Sequence, residues 1–454
     1  MKHPIPDYLN SLIDGLKDNR EGEVAQYIPT LAAADPDRFG VALATVTGRL
    51  HSAGDDETEF TIQSISKPFT YAAALKDRGR ETVDEFVGLN PSGEAFNELS
   101  LEEDSNRPDN AMINAGALAV HQLLVGPFAG RQERIDRAVA MLSELAGRPL
   151  SIDRDSYEAE MGTADRNLAL GHMLRSHGII HDRVEDVVAG YIALCSVNVT
   201  VRDIAVMGAC LASGGVHPMT GQRVLPSLVT RQVLSVMSSS GMYDAAGQWL
   251  ADIGIPAKSG VAGGVLGALP GQGGIGVFSP RLDSVGNSVR GVQVCRSMSE
   301  DLNLHIMEAD ALGGTVVRFV RRQDDCVYMH LQGVVRFGGS EAVLAAMTEL
   351  CTGSEERPGW ETKDYPDQEG GTAWRPEDPQ AAAERAANLG DGAVYQATEC
   401  AAGVDSGIAR VVLNLDRVDR VTSVGRRFIA EGIRRLEADG VRVEVQDPDG
   451  LLAR

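Results

Sequence analysis

The sequence predicts an α+β fold followed by a second, smaller α/β unit, and three observations carry that prediction. At 454 residues the chain exceeds what one ordinary hydrophobic core accommodates, so two or three domains are expected. Strand-like alternation falls near both ends of the first 310 residues with helical periodicity between, which builds one sheet from distant segments. Beyond that point short strands alternate with helices. A boundary is therefore placed near residue 310, with 1–310 and 320–454 as the two parts.

Taken in order, period-two alternation marks strands at 39–46, 264–269, 274–278 and 291–296. Apolar residues three and four apart mark helices at 132–146, 166–177 and 184–195. In the second part, 327–335 reads as strand, 340–350 as helix, 409–415 as strand, 424–438 as helix and 441–445 as strand. Residues 352–379 are rich in Glu, Asp, Gly and Pro without periodicity. They are expected to be a solvated acidic insertion reaching toward 408.

Composition excludes several functions. With 64 acidic against 42 basic residues the formal charge is −22. Nucleic acid and anionic membranes are bound through clustered Lys and Arg, so neither is an expected partner. Cysteines 195, 210, 295, 326, 351 and 400 are scattered without a CxxC pair, which argues against a metal cluster or a disulfide framework. Residues 1–10 lack a basic segment followed by an apolar core, and no apolar run approaches the roughly 20 residues of a membrane span. A cytoplasmic protein is expected.

The chemistry concentrates in the run Phe60-Thr61-Ile62-Gln63-Ser64-Ile65-Ser66-Lys67-Pro68-Phe69. On a helix, positions i and i+3 share a face, so the Ser64 hydroxyl and the Lys67 amine can meet. A serine needs an adjacent base to become a nucleophile, and a lysine serves only when burial or a second cation lowers its pKa. Pro68 requires the helix to start close by, which aims backbone N–H groups at Ser64. Alone, Ser-x-x-Lys recurs by chance as a capping serine and a solvated lysine. A second element, Lys258-Ser259-Gly260-Val261, precedes two glycine-rich strands, and its backbone N–H can complete an oxyanion hole with that of Ser64. The chain has six lysines, at 2, 17, 67, 76, 258 and 363, and two of them fall in these two elements.

Ser-x-x-Lys followed by Lys-Ser-Gly resembles the order in penicillin-recognising serine hydrolases. The wider pattern resembles the bacterial and mitochondrial glutaminase family, which shares the serine β-lactamase fold. The resemblance runs through 22–31 with Tyr27, 63–67, 91–97 (Pro-Ser-Gly-x-x-Phe-Asn), 110–117 with Asn-Ala-Gly-Ala, Glu160 and Asn167 seven apart, 191–196, Gly241-Met242-Tyr243-Asp244, 258–264 and Gly286-Asn287-Ser288. It covers essentially residues 20–308.

By position, the resemblance implies Ser64 as nucleophile, Lys67 as its base and Tyr243 as a proton-relaying phenol. Val261 would complete the oxyanion hole. Tyr27, Asn114, Glu160, Asn167 and Tyr191 would form the pocket for the amino-acid end of L-glutamine. No metal or organic cofactor is implied, and the family commonly forms dimers or tetramers, so a homo-oligomer is expected. The assignment also suits the substrate: Glu160 can take an ammonium, while asparagine amides and tyrosine hydroxyls serve a carboxylate without repelling the ammonium. Singly, each of these residues has a structural alternative, since tyrosines bury rings with wet hydroxyls and asparagines cap helices.

Three other signals are weaker. Residues 271–276 match GxGxxG but sit between two short strands, as a hairpin turn does. His172, His177 and His181 cluster without completing a zinc set. Ser196-Val197-Asn198 imitates the middle motif of β-lactamases and supports a rival reading as a β-lactam-recognising hydrolase. A third reading makes the chain a catalytically inactive amino-acid sensor. It leans on residues 320–454, which resemble a STAS domain at 327–337, 411–419 and Thr422-Ser423-Val424-Gly425. The family's Asp-Ser-Ser-Gly phosphoacceptor turn has lost its Asp and second Ser here, so phosphoregulation is not carried over.

Overall fold

The computed structural model describes residues 3–91, 101–102, 104–308, 316–352 and 407–452. Residues 92–97 of the Pro-Ser-Gly motif and 353–379 of the acidic stretch lie outside the described residues, as does Cys400. Two compact units form: Leu9–Glu300 with Leu304–Met307, and Met1–Tyr8 with Asp301–Asn303 and Glu308–Arg454.

In the first unit, β1 (Gly40–Thr45) and β2 (Leu50–Gly54) form a hairpin, β3 (Phe60–Thr61) pairs with β4 (Asn198–Val199), and β5 (Ala257–Gly260), β6 (Gly264–Leu269) and β7 (Gly273–Phe278) close the unit. Five strands make one antiparallel sheet in the order β2-β1-β7-β6-β5. The chain's beginning thus pairs with its end, from Gly40 opposite Phe278 to Thr45 opposite Gly273. β5 lies at the sheet edge, and the GxGxxG residues form the β6–β7 hairpin and the start of β7.

The glycines of this sheet have a packing reason. The helix Val201–Ala212 lies directly on it, and a Cβ on Gly274 would sit 2.1 Å from the Ala209 backbone nitrogen. That helix starts at a reciprocal cap: the Thr200 hydroxyl accepts from the Asp203 N–H while the Asp203 carboxylate accepts from the Thr200 N–H at 2.7 Å. The Ser66–Arg78 helix packs against the helices Asn114–His121, Arg131–Ala146 and Ser227–Ser240.

One expected strand is a helix. Residues 291–296 fall within Val289–Leu302, whose Val294, Cys295, Met298 and Leu302 are each 0% exposed. Those positions form one face at helical spacing; the Val-Gln-Val alternation that suggested a strand covers too few residues to fix the period.

The second unit is an α/β layer. β8 (Val317–Gln323) makes an antiparallel hairpin with β9 (Cys326–Val335), while β10 (Arg410–Val421) and β11 (Arg442–Gln446) continue in parallel, in the order β11-β10-β9-β8. The helices Phe337–Thr352 and Ser423–Ala438 pack on each other, with the Phe337 and Phe428 rings edge to face at 5.9 Å. Thr422 caps the second helix by accepting from the Gly425 N–H at 3.1 Å.

Candidate active site

Ser64 sits in a single 3₁₀ turn, Gln63–Ile65, that runs into the helix Ser66–Arg78. Gln63 holds a φ of +50°, unusual for a residue with a side chain, and the Ser66 hydroxyl donates to the Gln63 carbonyl at 2.7 Å. Pro68 is tolerated because it occupies the first helical turn, where a missing N–H costs nothing. Ser64 and Lys67 are both buried, and the Lys67 Nζ donates to the Ser64 Oγ at 2.5 Å. Burial pulls the Lys67 pKa down to about 8, opposed by the neighbouring Cys195 and Glu160.

The edge strand β5 approaches this turn at Gly260, where a Cβ would lie 3.1 Å from the Ile62 carbonyl. Val261 follows in a tight turn closed by the Gly263 N–H donating to the Gly260 carbonyl at 2.9 Å. Tyr243 faces the strand from another turn, Tyr243–Ala245, with a φ of +54°. Its buried hydroxyl donates to the Ser259 carbonyl at 3.2 Å and is also hydrogen-bonded with Ser64. Burial holds the phenol well above its ordinary pKa, and the bond with Ser64 pulls the other way. Two strained residues therefore flank the serine.

A polar chain continues away from Ser64. Lys67 Nζ lies 5.4 Å from the centre of the Tyr191 ring. The Tyr191 hydroxyl donates to Asn114 Oδ1 at 3.2 Å, and Asn114 Nδ2 donates to Asn167 Oδ1 at 3.5 Å. Asn114 stands first in its helix, after Ile113 at the cap position, and both of its side-chain polar atoms join this chain. Glu160, at the end of the helix Arg154–Met161, is buried and accepts from the Gln63 amide. Burial lifts its carboxyl to about 7, with Gln63 and Lys67 acting in the opposite sense. Tyr27 is 59% exposed, yet its phenol pKa is raised by burial and by Tyr243 and Glu160 nearby.

Around this turn Lys67 and Tyr243 bond Ser64 itself, Glu160 is tied on through Gln63, Tyr191 adjoins Lys67 and leads to Asn114 and Asn167, Val261 follows the approaching strand, and Tyr27 lies near Tyr243 and Glu160. Three more belong to it. Gln63 ties the nucleophile's turn to Glu160. The buried Cys195 thiol is hydrogen-bonded with Tyr191 and Ser66, and its pKa is pushed up to about 12 by burial. Lys258, 0% exposed, lies against the Tyr243 ring at 4.2 Å. Cys195 stands four residues after Tyr191, on the same helical face, and that spacing was the available signal.

The β-lactamase-like Ser196-Val197-Asn198 does something else. Ser196 Oγ donates back to the Ile192 carbonyl at 2.9 Å, and Asn198 Nδ2 donates to Asp153 at 3.5 Å. The Val197 carbonyl accepts from the Ile62 N–H at 2.8 Å, so this segment braces the serine's turn through its backbone. His172, His177 and His181 are exposed. Cys195, Cys210, Cys295 and Cys326 are free thiols.

The chain is similar to known proteins along most of its length. The glutaminase family profile matches residues 22–307. A glutaminase of Corynebacterium glutamicum is 45% identical over 449 residues, covering 99% of this chain and 95% of its own length. That of Corynebacterium efficiens is 44% identical, covering 99% and 93%. A crystal structure of Mglu aligns with a TM-score of 0.68 at 63% identity, covering 99% of each chain. A probable glutaminase, ybaS, aligns over 67% of this chain and 98% of its own at 33% identity and a TM-score of 0.65. With the family profile spanning well over half the chain and full-length relatives at this identity, the chain belongs to the glutaminase family.

Proposed function

We propose that this glutaminase hydrolyses the side-chain amide of L-glutamine to L-glutamate and ammonia through a glutamyl-serine formed on Ser64. Membership of the family carries the reaction; the 2.5 Å contact between the Lys67 amine and the Ser64 hydroxyl carries the mechanism. Lys67, depressed by burial, takes the hydroxyl proton as Oγ attacks the amide carbon. The tetrahedral oxyanion is held by the Ser64 and Val261 N–H groups, each such donor being worth about 3 to 4 kcal/mol. The carbon–nitrogen bond then breaks, with Tyr243 passing a proton to the nitrogen so that ammonia leaves, and the phenol is reprotonated from Lys67. Water attacks the ester with Lys67 again as base, releasing glutamate and restoring Ser64.

Glu160 receives the substrate ammonium, while Tyr27, Asn114, Asn167 and Tyr191 serve its carboxylate end. Substrate length is measured from that pocket to Ser64. No step calls on a metal or organic cofactor.

We read 1–310 as the catalytic domain and 320–454 as a STAS-like domain; the parallel β9-β10-β11 order with paired helices supports the latter. A cytoplasmic homo-oligomer, dimer or tetramer, is part of the same reading. The rival reading as a β-lactam-recognising hydrolase loses support because the Ser196 hydroxyl is committed to the Ile192 carbonyl.

Ammonia release from L-glutamine by wild type and Ser64→Ala, alongside L-asparagine and a chromogenic β-lactam, tests the reading. Glutamine turnover lost in the variant is expected. β-Lactam turnover without glutamine turnover would transfer the chain to the rival class, and no turnover of any substrate would favour a sensor.

A further inference from the structure

The mechanism leaves one buried lysine without a task. Lys258 is 0% exposed, and no carboxylate pairs with it among the described residues. Burial and the nearby Lys67 drive its pKa well down, and burying a lysine amine without a carboxylate is costly, whereas an apolar chain of the same length would fill the space. What Lys258 touches points to its task. Its Nζ donates to the Gly241 carbonyl at 3.0 Å and to the Ser259 carbonyl at 2.8 Å, and it lies 4.2 Å from the centre of the Tyr243 ring. The two carbonyls belong to different elements, the end of the Ser227–Ser240 helix and the edge strand β5. The Ser259 carbonyl also accepts from the Tyr243 hydroxyl.

Tyr243 needs such a hold, because its φ of +54° is disfavoured for a residue with a side chain. The hydroxyl end is held by the Ser259 carbonyl and Ser64, and further contacts support the turn and the ring. Asn287 Nδ2 donates to the Met242 carbonyl at 3.3 Å, and a Cβ on Gly286 would lie 3.6 Å from the Tyr243 ring. The Ser259 N–H also donates to the Gly241 carbonyl, at 3.2 Å, and Lys258 Nζ adds a contact that reaches the strand, the helix end and the ring face from one atom. We propose that Lys258 is a positioning residue for the reaction, clamping the Gly241 and Ser259 carbonyls beneath the Tyr243 ring so that the phenol stays on Ser64. The inference rests on the reading of Tyr243 as the proton relay to departing ammonia.

The test compares L-glutamine with L-glutamate γ-methyl thioester, a substrate of similar size whose thiolate leaves without a proton. Tyr243→Phe is expected to lose on the order of 10²–10⁴ in kcat on glutamine, the usual worth of general acid catalysis, and less than about tenfold on the thioester. Lys258→Met should show the same selectivity, with a loss of about 10²-fold or more on glutamine, and should keep glutamate binding within about threefold. The double variant should be no worse than Tyr243→Phe beyond about threefold, because the two act as one unit. Should Lys258→Met fail to fold, Lys258→Gln, which keeps an N–H donor for one carbonyl, is read on the same pair of substrates. Equal loss on both substrates, or no loss on glutamine, overturns the role of Lys258 while Tyr243 stands. Equal loss on both in Tyr243→Phe alone removes the relay itself, and the inference with it.

Discussion

The side-chain amide of Gln63 donates to Glu160, so the residue preceding the nucleophile is bonded to the carboxylate assigned to the substrate ammonium. Chemistry and recognition are therefore mechanically joined, through a residue held at a φ of +50°. Glu160 is lifted to about 7 by burial, against the pull of Gln63 and Lys67. Only its ionised form attracts an ammonium. The KM for glutamine is expected to rise as pH falls below about 7, and Glu160→Gln should raise KM at neutral pH and abolish that dependence. A charge-assisted hydrogen bond is worth about 1.5 to 3 kcal/mol, so the rise should be roughly 10- to 100-fold. A variant whose KM stays within about threefold of wild type would remove Glu160 from this role.

Lys67 sets a second limb. Its amine must be neutral to accept the Ser64 proton, and burial brings its pKa down to about 8. Turnover at saturating glutamine should fall as pH drops through that value, because protonation removes the base. Lys67→Met should lose on the order of 10² to 10⁴ in kcat, the range for general acid–base catalysis, while still binding glutamate. A kcat that is flat between pH 6 and about 9 in the wild type would show that another group acts as the base.

How far the sequence revealed this site depends on the residue. Ser64 and Lys67 could be paired from their spacing, because i and i+3 share a helical face, but that pairing gained weight only from the later Lys258-Ser259-Gly260 element and the family resemblance. Tyr243, Glu160 and Asn167 were reachable only through the family resemblance, since single polar residues carry no spacing that distinguishes a ligand from a solvated side chain. Lys258 stood in a recognised motif, but its contact with Tyr243 arises from two segments that meet only in the folded chain. Among helices, Val201–Ala212 escaped because every residue but Arg202 is buried, which erases the amphipathic period. The strand β8 escaped for the opposite reason, its Val-Arg-Phe-Val-Arg-Arg-Gln being mostly exposed and interrupted by three arginines. The misread 291–296 lay where alternation and helical spacing coincide over a few residues.

Acid stability should carry the mark of His121. This histidine ends the helix Asn114–His121, is 1% exposed, and finds no hydrogen-bond partner for either ring nitrogen among the described residues. Burial, with a contribution from Arg134, holds its pKa down at about 3. The unfolded chain, titrating near 6.5, binds a proton that the folded state refuses, so stability is full above about 6.5 and declines as pH falls toward 3. Each unit of that window is worth about 1.4 kcal/mol. Denaturant titrations of wild type and His121→Gln between pH 4 and about 7 should show a shallower decline in the variant. Parallel declines would place the acid sensitivity elsewhere.

The glycine surface beneath the Val201–Ala212 helix makes the sharpest structural prediction. A Cβ on Gly274 would stand 2.1 Å from the Ala209 nitrogen and 2.2 Å from the Ala205 carbonyl oxygen, both backbone atoms of a capped, buried helix. Neither atom can rotate away as a side chain would, so the helix must lift from β7 or the strand must bend. Overpacking of this kind typically costs about 1 to 3 kcal/mol, and backbone contacts place Gly274→Ala at the upper end. Thermal unfolding should show a clear loss. The damage should be mainly to stability, because Gly274 pairs with Ala44 and Ala268 in the sheet interior while Ser64 neighbours β5 at the edge. At temperatures where the variant remains folded, its KM for glutamine should match wild type within about twofold, since the pocket residues keep their geometry when only distant packing is disturbed. Unchanged stability would mean that the helix and sheet are farther apart than described, and a KM shift with full stability would mean that the sheet transmits strain to the site.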